Sequence, residues 1–126
     1  MTKLTRALPL AVLLAAGCGP GLQAPADPER AREALQTVLD AWQRGDRPEA
    51  LRTASPAVHV NDPDWSAGRR LTRYQIAADG VRSGVDLRYT VRLTLAGPKG
   101  QAVRKDTAYV VGTSPALTVV RNDPDS

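Results

Sequence analysis

Residues 85–96 alternate between apolar and polar side chains, and this pattern constrains the fold more than any other feature of the chain. Because successive side chains of a strand point to opposite faces, the pattern predicts a long strand with one face in a core and the other in water. The apolar set is Val85, Leu87, Tyr89, Val91, Leu93 and Leu95.

Turn residues divide the rest of this half of the chain into strands. Gly97-Pro98-Lys99-Gly100 follows the alternating segment, so 85–96 and 102–113 are expected to form an antiparallel hairpin. Residues 61–64 are expected to form a turn rich in Asn, Asp and Pro. The other extended segments expected are 57–60, 71–77 and 116–121.

Residues 27–44 carry the strongest helix signals. Asp27 suits an N-cap, Pro28 suits the first helical position, and Gly45 suits a left-handed stop. A short second helix is predicted over 47–54, because Asp46 and Glu49 have the spacing of a capping box. Apolar residues of the first helix recur with helical spacing at Ala31, Ala34, Leu35, Val38, Leu39 and Trp42.

The order of these elements predicts an α+β domain over residues 27–123. A helix with one apolar stripe and a sheet with one apolar face bury each other. We therefore expect an N-terminal helix and a short second helix packed on a curled four-stranded antiparallel meander sheet. This order resembles the cystatin-like and nuclear-transport-factor-2-like rolls over about residues 27–121, and the resemblance implies a fold but no activity.

The first 17 residues have the pattern of a secretory signal peptide. Lys3 and Arg6 precede an apolar run over 7–17 that is too short to span a membrane. Cys18, the only cysteine, follows small residues that resemble the lipobox of bacterial lipoproteins. The segment from Asp62 to Trp65, with Gly68, Leu71 and Tyr74, also looks like small bacterial lipoproteins of unknown activity.

The lipobox resemblance implies that residues 1–17 are removed and that Cys18 becomes the lipidated first residue, carrying fatty acids such as palmitate. Ordinary cleavage near Gly17, which leaves a free thiol, is the alternative. Gly19 in place of Asp implies the periplasmic face of the outer membrane in a Gram-negative cell envelope. Residues 18–26 would then form a flexible tether.

Removal of residues 1–17 would take away two of the 17 basic residues and none of the 13 acidic ones, which leaves a formal charge of +2. A charge this small on an exported protein argues against nucleic acid as a partner. The expected partners are the membrane, through the lipid on Cys18, and an unidentified envelope protein or component.

His59 and Asp62 are the one pair suited to acid–base chemistry, since His59 is the only histidine. An imidazole oriented by a carboxylate transfers protons near neutral pH, as a hydrolase or lyase requires. Asn61, Asp62 and Asp64 offer oxygens for calcium, although a turn and its caps explain the same spacing. We expect no catalytic residue, no metal site and no cofactor.

The large aromatic residues have two interpretations. Trp42, Trp65 and Tyr74, together with His59 and Asp62, could line a ligand pocket at the open end of the roll. The alternative is that the aromatic side chains fill a core that contains no Phe.

The arginines also have two interpretations. One is a basic patch that contacts anionic lipid head groups, at about 1 kcal/mol per residue. The other is a solvated sheet face on which arginines pair with Asp86 or Asp106. The residues concerned are Arg69, Arg70, Arg73, Arg88 and Arg92.

The sequence therefore predicts a lipid-anchored, non-enzymatic envelope protein that binds a protein or another envelope component. A small-molecule-binding roll with a pocket at its open end is the alternative. A hydrolase or lyase that uses His59 and Asp62 is a third hypothesis.

Overall fold

The structure is a computed structural model, and it describes residues 24–124. The predicted signal peptide, Cys18 and most of the predicted tether lie outside these residues. Within them, no helix is both long and apolar enough to cross a membrane. The elements are α1 (Pro28–Arg44), a 3-10 helix (Pro48–Thr53), β1 (Val58–Asn61), α2 (Pro63–Ser66), β2 (Leu71–Ile76), β3 (Val81–Ser83), β4 (Asp86–Ala96), β5 (Ala102–Gly112) and β6 (Leu117–Arg121).

Six strands form one mixed sheet in the order β1-β6-β5-β4-β2, with β3 also paired to β4. β4 and β5 form the predicted antiparallel hairpin, from Leu87 opposite Val111 to Ala96 opposite Ala102. β1 runs parallel to β6, with Val58 opposite Leu117. The α+β class is confirmed, but the prediction of four antiparallel strands is wrong, because β1 and β3 add two strands and β1 joins the edge left open by β6.

The core lies between α1 and the apolar face of the sheet. Five of the six apolar residues of the alternating segment are buried on this face, and the sixth, Val85, lies in the turn before β4. α1 packs its apolar stripe against β2, β5 and β6. Tyr89 and Tyr109, which lie opposite each other on β4 and β5, are among the largest fully buried side chains. They fill the core of a chain that contains no phenylalanine.

The predicted boundaries of α1 are confirmed by its caps. The Asp27 carboxylate accepts a hydrogen bond of 2.9 Å from the Arg30 amide. Gly45 has a φ of +93°, a left-handed conformation that glycine adopts without a Cβ penalty, and its amide donates to the Trp42 carbonyl at 3.0 Å. These caps fix the two ends of α1 and therefore the position of Trp42 in its last turn.

Two local predictions need correction. The second helix is a 3-10 helix with no side-chain cap, because it begins at Pro48 with Arg47 at the N-cap position. Asp46, the predicted cap, lies one residue earlier and accepts a hydrogen bond from Arg44 at 2.8 Å. The predicted turn at 61–64 continues into α2. Asp62 caps this short helix by accepting hydrogen bonds from the amides of Asp64 and Trp65 at 2.9 and 3.2 Å. The cap holds Trp65 against the core.

The two ends of α1 have different surroundings. At the N-terminal end, the Ala26 amide donates to the Val85 carbonyl at 2.7 Å and the Asp27 amide donates to Thr113 Oγ1 at 3.0 Å. At 1.5 Å per residue, the 17 residues of α1 span about 26 Å. The C-terminal end, with Trp42, is therefore far from the point at which the chain enters the domain.

Candidate functional site

A cavity of about 360 Å³ lies at the C-terminal end of α1. Three segments border it: the last turn of α1, the start of the 3-10 helix, and the stretch from α2 to the start of β2. The side chains and backbone that line it belong to Trp42, Gln43, Gly45, Asp46, Arg47, Pro48, Glu49, Trp65, Ser66, Gly68, Arg69 and Arg70.

Two stacked tryptophans form the inner wall of this cavity. The ring centroids of Trp42 and Trp65 are 5.8 Å apart and their planes differ by 15°. Trp42 Nε1 donates to the Arg69 carbonyl at 2.8 Å, and Trp65 Nε1 donates to the Asp46 carbonyl at 2.9 Å. Each indole thus holds the backbone of a neighbouring segment, so the wall and the rim form one connected structure.

A buried polar network lies behind α2, and Asp62 is at its centre. The Asp62 side chain accepts hydrogen bonds from the Tyr109 hydroxyl at 2.5 Å and from Arg121 Nη1 at 2.9 Å. It also accepts the hydrogen bonds from the backbone amides of Asp64 and Trp65, and only 2% of its surface is exposed. Its oxygens are fully engaged by donors from the protein, as a buried carboxylate requires.

Asp64 extends the network to the surface. Its carboxylate pairs with Arg121, with Lys105 at 2.8 Å and with Arg69 at 3.2 Å. Burial opposes the ionisation of Asp64, but the hydrogen bond from Lys105 and the charge of Arg121 outweigh it and hold the pKa of Asp64 below its ordinary value. Asp64 therefore stays charged at neutral pH.

Tyr109 acts as a donor in this network. Burial, together with the negative charge of Asp62, raises the pKa of the Tyr109 hydroxyl well above its ordinary value, so the phenol keeps its proton. The Arg121 guanidinium lies 5.6 Å from the centre of the Tyr109 ring, in the range of a cation–π contact. The network is a set of satisfied charges with no group free to move a proton.

The structure brings only some of the predicted pocket residues together. Trp42 and Trp65 line one cavity, and they are also core residues, 3% and 5% exposed. Tyr74 lies on β2 and donates to Asp40 Oδ1 at 2.7 Å; burial and this hydrogen bond raise its pKa to about 12. The cavity lining does not include Tyr74, His59 or Asp62.

The predicted pairing of His59 with Asp62 is wrong. Residues separated by an odd number of positions along an extended strand point to opposite faces. His59 is exposed on the outer face of the sheet, opposite Thr118, whereas Asp62 points into the buried network. The hydrolase or lyase hypothesis therefore has no geometric basis.

The calcium alternative also fails on geometry. Asp62 and Asp64 direct their oxygens at Arg121, Lys105 and Arg69, while Asn61 is exposed. Within residues 24–124, no three His, Cys, Asp or Glu side chains are grouped so as to hold a metal ion. The spacing of the acids is explained by the cap of α2 and by the ion pairs.

The predicted basic patch divides into two groups. Arg69 and Arg70 line the cavity, whereas the three arginines on β2 and β4 lie on the outer face of the sheet. On that face Arg92 pairs with Asp106 at 3.1 Å, which confirms one of the two predicted partners. Arg88 instead donates to the Asn122 carbonyl at 2.9 Å.

Sequence reasoning missed Arg121 and Lys105, although the strand period contains the signal. Leu117, Val119 and Arg121 occupy alternate positions on β6 and all are buried, so the period places Arg121 inward. Lys105 lies opposite the buried Leu93 on the same face. A cation at an inward position of a strand indicates a buried acid to pair with.

No family model matches the sequence, and no curated protein matches it. Among solved structures, the crystal structure of a Δ5-3-ketosteroid isomerase from Mycobacterium sp. is similar, with 21% identity and a TM-score of 0.45. The match covers 73% of this chain and 91% of that chain. At this score the similarity transfers no reaction, substrate or active-site residue.

This solved structure differs from one prediction. It is a ketosteroid isomerase, with a nuclear-transport-factor-2-like fold. Because it is an enzyme, the prediction that this chain is non-enzymatic is withdrawn, and the similarity assigns no activity in its place.

Proposed function

We propose that this chain is a lipid-anchored envelope protein whose roll domain binds a small molecule in the cavity at the C-terminal end of α1. The observation that carries the proposal is the cavity itself, which combines a stacked tryptophan pair with three arginines. Binding sites for small molecules have volumes from about 300 Å³ upward and combine apolar walls with a few fixed polar groups.

The anchor rests on the sequence. Lys3, Arg6, the apolar run over 7–17 and Cys18 match the order found in lipoprotein signals. Pro28, the first residue of α1, is ten positions after Cys18, so a lipid on Cys18 would hold the N-terminal end of α1 within about 36 Å of the membrane surface. The cavity lies at the other end of α1 from the predicted anchor, so the tether does not enter it.

A second cavity, of about 350 Å³, offers an internal comparison. It lies between α1 and the starts of β1 and β6, and its lining includes Ala34, Thr37, Val58 and Leu117. No tryptophan lines it, and its charged residues are Arg30 and Glu33. We favour the first cavity because its polar groups can orient a ligand beside an aromatic surface.

The binding proposal is tested by filling each cavity in turn. The purified domain is screened by NMR against a library of charged and uncharged molecules, and binders are tested again on Ser66→Trp and Thr37→Trp. Ser66 lines the first cavity, Thr37 lines the second, and both residues are exposed. Binding that Ser66→Trp removes and Thr37→Trp leaves intact supports the proposal. A library without binders, or binding that only Thr37→Trp removes, contradicts it.

The anchor is tested separately in cells. Cys18→Ser is expected to move the protein from the membrane fraction to the soluble fraction and to remove the fatty-acid mass from the mature N-terminus. Gln23→Ser, which changes the predicted tether but keeps Cys18, is the matched control. Membrane association that survives in Cys18→Ser contradicts lipidation.

A further inference from the structure

We infer that the ligand of the cavity at the C-terminal end of α1 is a small organic anion whose carboxylate or phosphate is held by Arg47 and Arg70. This inference rests on the proposed function and specifies the chemical class of its ligand. It is carried by the charges of the lining and by which of them are already paired within the protein.

The lining residues include three arginines and two acids. The Asp46 carboxylate is paired at 2.8 Å with Arg44, which does not line the cavity. Glu49 is the other acid. The charge presented to a ligand is therefore positive, and the paired acid weakens it little because its own partner is a cation.

Arg69 is the lining arginine that is already paired within the protein. Its guanidinium contacts the Asp64 carboxylate at 3.2 Å, and Lys105 and Arg121 contact the same carboxylate. Arg121 also pairs with Asp62 and with Asp123, so three carboxylates face the three cations of this network. The positive charge presented to a ligand therefore comes from Arg47 and Arg70.

Arg47 and Arg70 are the groups available to bind an anion. They come from two different segments that border the cavity, one before the 3-10 helix and the other before β2. Within the described part of the chain, neither guanidinium has a hydrogen bond or an ion pair to another residue. A guanidinium presents several N–H donors in a plane that matches the oxygens of a carboxylate or phosphate.

The rest of the lining favours an apolar body behind the anionic group. Trp42 and Trp65, which are 3% and 5% exposed, contribute small aromatic areas to the wall, and the half-buried Pro48 adds further apolar surface. A molecule with a small apolar body and one anionic group matches both parts of the wall. An inorganic anion would match only the arginines.

The test uses matched probes that differ in charge. Benzoate, phenylphosphonate, the neutral benzamide and inorganic phosphate are titrated into the purified domain by calorimetry and NMR. We expect benzoate or phenylphosphonate to bind at least about tenfold more tightly than benzamide, the factor that about 1.4 kcal/mol gives. The tighter binder of benzoate and phenylphosphonate identifies the preferred anionic group. Sodium chloride should weaken the binding of the anions and leave the binding of benzamide unchanged.

The variants locate the charge effect. Arg47→Gln and Arg70→Gln are each expected to reduce the affinity of the aromatic anion about tenfold and to leave benzamide unchanged. Arg73→Gln is the control, because it removes the same charge from an exposed position on β2 outside the cavity. An equal loss in Arg73→Gln overturns the inference.

Failure of this inference is distinguishable from failure of the proposed function. Equal affinities for benzoate and benzamide, both lost in Ser66→Trp, overturn the anion preference and keep the cavity as a binding site. Inorganic phosphate binding as tightly as the aromatic anions overturns the need for an apolar body. Library binders in this cavity with no binding of either aromatic anion overturn the inference alone, whereas a library without binders removes the proposed function as well.

Discussion

The segment from Asp62 to Arg70 has two sides, and they differ in how their charged groups are paired. On the inner side, the carboxylates of Asp62 and Asp64 receive donors from Tyr109, Arg121 and Lys105. On the cavity side, the Arg70 guanidinium has no ion pair within residues 24–124. The acids that suggest catalysis or metal binding in the sequence therefore stabilise the fold, whereas the neighbouring Arg70 is available to a ligand.

The largest effect is expected from removing the cation of the inner side. Arg121→Met leaves the carboxylates of Asp62 and Asp64 buried without their shared partner, which should lower the free energy of unfolding by about 3–5 kcal/mol. Urea denaturation at pH 7 measures the loss. Arg104→Met, at an exposed position on β5, is the control and should change stability by less than about 0.5 kcal/mol. Similar losses in the two variants would remove the distinction between the sides.

A smaller effect with a characteristic pH dependence is expected at Asp64. Asp64→Asn should cost about 1–3 kcal/mol at pH 7, because three cations lose a charged partner. The folded-state pKa of Asp64 lies below its unfolded value, near 3.9, so its contribution is full above about pH 4 and disappears as the pH falls through the folded-state pKa. The difference between wild type and variant should therefore shrink from pH 7 to pH 3.

Asp106→Asn is the control for this titration. Asp106 also pairs with an arginine, but its side chain is 73% exposed, and surface pairs contribute little. A difference between wild type and Asp64→Asn that is the same at pH 7 and pH 3 would contradict the buried, ionised state of Asp64.

Trp65 lies on the boundary between the two sides, and Trp65→Phe is expected to lower the free energy of unfolding by about 1 kcal/mol. The variant keeps an aromatic ring near Trp42 but loses the hydrogen bond from Nε1 to the Asp46 carbonyl. Thermal unfolding measures the cost, and Tyr74→Phe, which removes a hydrogen bond at a more exposed site, is the comparison. No change in Trp65→Phe would mean that the rim of the cavity is held by other contacts.

The smallest effect is expected on the outer face of the sheet. His59→Ala should change the free energy of unfolding by less than about 0.5 kcal/mol, because the side chain is exposed on β1. The affinity of any cavity ligand should not change either. A clear loss of binding in this variant would show that the site extends beyond the cavity.

The sequence predicted the parts of the fold that depend on a local period. α1, with Asp27 and Gly45 as its caps, and the β4–β5 hairpin follow from spacings within a few residues of one another. The parallel pairing of β1 with β6 could not be predicted in this way, because Val58 and Leu117 meet only after several intervening elements. Such long-range pairing is decided by which sheet edge remains open.

The candidate site was predicted only in part for the same reason. Trp42 and Trp65 were recognised by their size, but the cavity between them and Arg47 or Arg70 depends on three segments that meet in space. Asp62 was recognised as an acid near the only histidine. Its actual partners, Tyr109 and Arg121, lie on β5 and β6, and strand alternation separates it from His59.

The parallel pairing of β1 with β6 also has a consequence for how the chain completes its fold. Among the described strands, β1 pairs only with β6, and Asp62 depends on Arg121 at the end of β6. A polypeptide that emerges from its N-terminus leaves the backbone N–H and C=O groups along the edge of β1 unpaired, and the Asp62 carboxylate without Arg121, until residue 121 has emerged. Sheet closure of this kind is slow and non-local, and an unpaired edge invites aggregation. We therefore expect newly made copies to be most prone to aggregation before β6 has been synthesised.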